Sequence, residues 1–99
     1  MKMLDKMMDE LHEEVEGARC YAEKYIENKA RGNTPRANKF KEMASDELKH
    51  AGYLREMAVT DAEGIKRVYN LTENEVEAWE HAHKKINDEM AMVQHLLSM

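Results

Sequence analysis

Pro35 is the only proline in the 99-residue chain, and with Gly32 and Asn33 just before it marks the one strong break in an otherwise uninterrupted helical pattern. Proline removes a backbone donor and glycine frees the chain, so a sequence poor in both can run in long helices. Strand-forming residues never alternate with polar ones, which leaves an all-α chain. Before the break, Leu4, Met8, Leu11, Val15, Ala18, Ala22 and Tyr25 recur at spacings of four and three, predicting a helix over 2–31. Gly32 and Asn33 stop it. Thr34 reads as an N-cap with Pro35 at the first helical position, opening a second helix to about residue 58. Thr60 and Glu63 form a capping-box pattern that predicts a short helix over 61–69, weakened by Gly64. Thr72 and Glu75 repeat the pattern. They open a third long helix carrying Val76, Trp79, His83, Ile86, Met90, Val93 and Leu97 toward the C-terminus.

The expected architecture is therefore one helical domain, residues 1–99, folded as an antiparallel bundle of three long helices plus one short one. A closed four-helix bundle wants four long helices, and the unbroken seams favour two chains sharing theirs. A chain of this length buries only about 60–65% of its unfolded surface, so dimerisation would also enlarge a small core. The net charge of −5 argues against nucleic acid as a partner, because Lys and Arg are interspersed with Asp and Glu rather than gathered in a run. Charges recur every few residues in the first ten positions, which fits neither a signal peptide nor a membrane span, and a cytoplasmic location is expected. The single cysteine, Cys20, excludes an intrachain disulfide and reads as a surface thiol. The nine methionines read as gap-filling core residues ahead of soft-metal ligands.

The chemistry concentrates in residues 40–51, F-K-E-M-A-S-D-E-L-K-H-A. On a helix, Phe40, Met43, Glu47, His50, Leu54 and Met57 share one face, so an acid and an imidazole sit on an apolar stripe. Burying an unpaired carboxylate costs several kcal/mol, and a Glu-x-x-His pair offers two metal ligands one turn apart. On the first helix Glu14 lies about 60° from the centre of the apolar stripe, whereas Glu13 and Glu16 point about 150° away. Glu14 is the acid expected to face Glu47. Counted back to the turn, it stands about five residues further out, or about 7 Å, so convergence would be diagonal. Tyr21 lies one heptad further along the same row, and with Tyr25 reads as an amphipathic edge of the core ahead of a catalytic role. Glu80 and His83 form a second Glu-x-x-His, but Glu80 falls about 90° off its stripe. His81 and His95 point outward.

Glu14, Tyr21 seven residues later, Glu47 thirty-three after Glu14 and the Glu-x-x-His-Ala run together resemble the first helical pair of the rubrerythrin branch of the ferritin-like superfamily. The resemblance covers residues 7–57. It implies a ferritin-like bundle holding two iron ions that react with oxygen or peroxide. In that pattern Glu14 would be a terminal ligand, Glu47 a bridging ligand, His50 the imidazole ligand and Tyr21 a hydrogen-bond partner behind them. The family's second helical pair is not recognisable, and neither are the rubredoxin-like cysteine pairs. The chain is thus similar to the half-site, encapsulated-ferritin type, which implies two irons at a site shared across a dimer. An encapsulating shell or an external reductant would be a further partner.

The functional expectation is a ferroxidase or peroxide-reducing oxidase. Oxygen and imidazole donors without thiolate suit iron or manganese, and would also accept zinc. The alternative is a non-catalytic helical interaction module in which Glu47 and His50 are a buried polar pair that sets register.

Overall fold

The computed structural model describes residues 2–99, folded into three helices: α1 (Lys2–Ala30), α2 (Thr34–Val68) and α3 (Glu73–Ser98). Among the described residues there is no strand, and no helix is long and apolar enough to cross a membrane. The helices lie along one another in a rod of 55 × 17 × 17 Å. Its radius of gyration, 16.1 Å, exceeds the roughly 13 Å of a compact domain of this length.

The turn after α1 is built by its own residues. Gly32 has φ +78, a left-handed conformation that costs glycine little. Its N–H donates to the Lys29 carbonyl at 3.0 Å, and that of Asn33 to the Asn28 carbonyl at 2.9 Å, which closes a Schellman motif. Asn33 is then the N-cap of α2, accepting from the Arg36 N–H at 3.3 Å, one residue ahead of the expected Thr34. At the other junction the expected capping box is present: the Thr72 side chain accepts from the Glu75 N–H, and the Glu75 carboxylate accepts from the Thr72 N–H.

The separate short helix over 61–69 is not formed, because α2 runs through it without a break. Thr60 does not cap anything. Its hydroxyl donates to the Glu56 carbonyl at 3.0 Å, the bond of a mid-helix threonine to the preceding turn. Packing overrides the local signal: Ala37, Ala44, Ala51, Ala58 and Ile65 recur every seven residues and are all buried, with Ala62 beside them. This stripe also corrects the expected face of α2. Small residues let the backbone of α2 approach α1 closely, so the alanines form the seam. Met43 and Met57, assigned to the buried stripe by size, lie on its flank at 41% and 49% exposure.

On α1 the expected seam holds: Leu11, Val15, Ala18, Ala22 and Tyr25 are buried. Asn28 joins them, its amide donating to the Lys24 carbonyl at 2.8 Å, a buried polar group not signalled by periodicity. α3 lays Ile86, Met90, Val93 and Leu97 against this hairpin, mainly over α1. Arg55 of α2 reaches across to Asn87 at 3.0 Å and ties the third helix on.

Candidate metal centre

α3 covers one side of the α1–α2 hairpin and leaves the flank on the other side open. Relative to Ala51 in the seam, Glu47 stands about 40° round α2 and His50 about 100°, so both project from that flank. Glu14 projects toward them from α1. Glu14, Glu47 and His50 each place one ligand atom within 4.8 Å of the other two. The Nδ1 of His50 is 3.9 Å from a Glu14 oxygen.

The diagonal offset expected for Glu14 closes because the helices meet at close range and Gly17 stands beside Glu47. A Cβ built on Gly17 would come to 3.4 Å from a Glu47 carboxylate oxygen, so the missing side chain makes room for the carboxylate. Counting from Gly32, Gly17 and Glu47 are at the same level of the hairpin, and so are Glu14 and His50. Apolar periodicity could not show the use of Gly17, but this equal spacing from the turn could have suggested it.

When Glu47 is protonated, its carboxyl can hydrogen-bond the Glu14 carboxylate. That bond is the main reason the Glu47 carboxyl is held above its ordinary value of 4.5, followed by burial and by the charge of Glu14; His50 pulls it back and Asp46 adds a small upward push. Two adjacent carboxylates beside an imidazole are what a divalent cation would satisfy. Ligand atoms each about 2.1 Å from one ion stand between about 3 and 4.2 Å apart, and the 3.9 Å between His50 and Glu14 falls in that range. The donor set fits an iron or manganese ion, with zinc as a further fit.

Tyr21 is half-buried and stacks on Phe40, ring centroids 6.3 Å apart. Among the described residues its hydroxyl makes no hydrogen bond to Glu14, Glu47 or His50. Lys24 and Arg36 both lie over the Phe40 ring, at 5.5 and 5.7 Å, so the aromatic pair anchors the hairpin just on the turn side of the three ligands. Glu80 and His83 do not converge with them: Glu80 is exposed, and His83 stacks on Trp79 at 5.2 Å. His81, His95 and Cys20 are exposed, as expected.

A second convergence was not foreseen. His12, Glu16 and Glu89 also place three ligand atoms within 4.8 Å of one another, on the far side of α1. Glu16, expected to be solvated, is half-buried where α3 passes. The sequence signal for part of it is the His-x-x-x-Glu spacing of residues 12–16, which puts both side chains on one face of a helix. No family model, curated protein or solved structure matches the chain.

Proposed function

We propose that the chain is half of a ferritin-like di-iron oxidase, in which Glu14, Glu47 and His50 of two copies meet across a two-fold axis. The supporting observation is the convergence of those three ligands on the one side of the hairpin that α3 leaves uncovered. A dinuclear carboxylate centre in a helical bundle uses four carboxylates and two imidazoles, and two copies of this set supply that number. The exposed surface fits a missing partner. At 6908 Å² it is larger than the roughly 5,800 Å² of a folded monomer of this mass. Met43 and Met57, about two helical turns to either side of His50, supply apolar area around the three side chains.

Iron bound there would supply electron transfer from Fe(II) to oxygen or peroxide. The residues of the chain do the rest. Glu14 and Glu47 would hold the ion through carboxylate oxygens, and His50 would complete the donor set with an imidazole nitrogen. Gly17 keeps the Glu47 carboxylate free to turn toward the ion. Met43, Leu54 and Met57, covered by a second copy, would exclude water from the centre. A cytoplasmic setting with an external reductant accords with a chain whose single cysteine is exposed.

The test mixes anaerobic protein with Fe(II), admits air, and follows oxidation in the near ultraviolet. The protein should accelerate oxidation over a protein-free control. Glu47→Ala should fall to the control rate with metal affinity at this centre reduced at least about a hundredfold, while Glu13→Ala, on the exposed face, should match the parent. Light scattering over a dilution series should show a dimer that Mn(II) tightens and His50→Ala does not. A protein that leaves the oxidation rate unchanged would overturn the reading in favour of a non-catalytic interaction module.

A further inference from the structure

The groove between α1 and α3 holds a carboxylate that protein contacts leave unsatisfied. The Oε2 of Glu89 is buried and, among the described residues, accepts no hydrogen bond. A buried carboxylate oxygen without a donor carries its full desolvation cost, so something should meet it. Its nearest candidate is His12, but the separation of 3.6 Å between Nδ1 and Oε2 is too long for a hydrogen bond. It is close to the distance between two ligands of one ion: atoms about 2.1 Å from a tetrahedral metal stand about 3.4 Å apart. Glu16, one turn beyond His12 on the same face of α1, brings a third ligand atom to within 4.8 Å of both. Arg19 holds that carboxylate at 3.2 Å, but also reaches Glu23 at 3.7 Å, so it keeps a partner if Glu16 turns inward.

We infer that His12, Glu16 and Glu89 form a second, mononuclear site for a divalent first-row transition-metal ion, separate from the Glu14, Glu47 and His50 cluster. The two lie about 160° apart around α1, so they share no ligand. Two carboxylates cancel the charge of the ion and a neutral imidazole gives it a nitrogen donor, while three protein ligands leave positions for water. All three come from one chain. The site therefore takes one ion per protomer whatever the state of assembly, and by joining α1 to α3 it fastens the third helix to the hairpin.

Co(II) is the probe, because its visible absorption reports ligation directly. The experiment uses Glu47→Ala protein, so the outcome does not depend on whether the shared centre exists. Titration should show one Co(II) per chain and a rise in melting temperature with added Co(II). Adding Glu89→Gln, close in shape but unable to carry the charge, should weaken binding at least about tenfold and remove that rise. Adding His12→Ala instead, at an exposed position, should do the same and also shift the visible band as nitrogen is lost. Absence of Co(II) binding in Glu47→Ala, or binding unchanged by Glu89→Gln and His12→Ala, would overturn the inference.

Discussion

The two sides of the α1–α2 hairpin are made from the same pair of helices and solve different problems. On the covered side, Leu11, Val15, Ile86 and Met90 interlock as α3 lies over α1, and the packing is mainly apolar with Glu89 half-buried beside it. On the open side, Glu14, Glu47 and His50 stand among Met43, Leu54 and Met57, with no third helix above them. A chain this short has little apolar surface to spare, yet it places its best hydrophobic residues on one side and leaves methionines in solvent on the other. The difference teaches that apolar packing gathers on one face, where α3 holds the fold, while the other leaves an acid pair, an imidazole and two methionines without a covering helix.

Truncation should separate the sides most sharply. Leu11→Ala removes a fully buried side chain and should cost about 2–5 kcal/mol, whereas Met57→Ala on the open side should cost the protomer well under about 1 kcal/mol and act on association instead. Denaturant melts at low concentration, with sedimentation of both variants, would break the comparison if the two losses were equal.

The seam between the sides is the next point of attack. Ala51 is fully buried in the alanine seam, so Ala51→Leu should push the helices apart at a cost of about 1–3 kcal/mol. Metal affinity should fall with it, although residue 51 carries no ligand, because Glu14 and Glu47 converge only across a short gap. Calorimetric titration of the variant with Mn(II) measures that loss; unchanged affinity would show that the seam does not position the ligands.

The smallest effect is in the response to pH. The folded Glu47 carboxyl lies above its unfolded value of 4.5, chiefly through the hydrogen bond with Glu14, so the folded protein holds that proton more tightly. The resulting stability is fully present below pH 4.5 and is lost as pH rises through the folded value. Metal-free protein should thus lose some melting temperature across that interval relative to Glu47→Gln, whose side chain does not titrate. Parallel melting curves from pH 4 to pH 7 would sharpen the contrast if a control such as Glu13→Gln leaves the slope unchanged.

The helices were legible wherever local chemistry and packing agree. Gly32, the Thr72 and Glu75 box and the seam from Leu11 to Tyr25 each carry their own signal, and the ends of α1 and α3 follow from them. The middle of α2 was misread because its governing residues are small. Alanine contributes little to an apolar pattern, so Met43 and Met57 drew the stripe toward themselves and the capping pattern at Thr60 suggested an end that Ala58, Ala62 and Ile65 override. The same error of rotation left the convergence of Glu14, Glu47 and His50 foreseeable, because Glu47 and His50 are set by spacing along one helix and Glu14 by its place on the other. Gly17 beside Glu47 is legible only in their equal distance from the turn and in no apolar pattern. Glu89 was out of reach for a different reason: which residues of α3 meet α1 depends on how the third helix is laid down, and no pattern within that helix fixes it.

The alanine seam has a consequence for shape. A sevenfold repeat on a helix of 3.6 residues per turn drifts by about 20° per heptad, and the four steps from Ala37 to Ile65 would carry the stripe about 80° round a straight helix. Since all five residues stay buried, α1 and α2 must wind about each other with a left-handed twist. The open flank carrying Glu47 and His50 is then a spiral ribbon. A second ribbon of the same hand, laid antiparallel across it, can run alongside for only a few turns before the two diverge. Glu47 and His50, near the midpoint of the 35-residue helix, occupy the stretch where such a crossing has its longest contact.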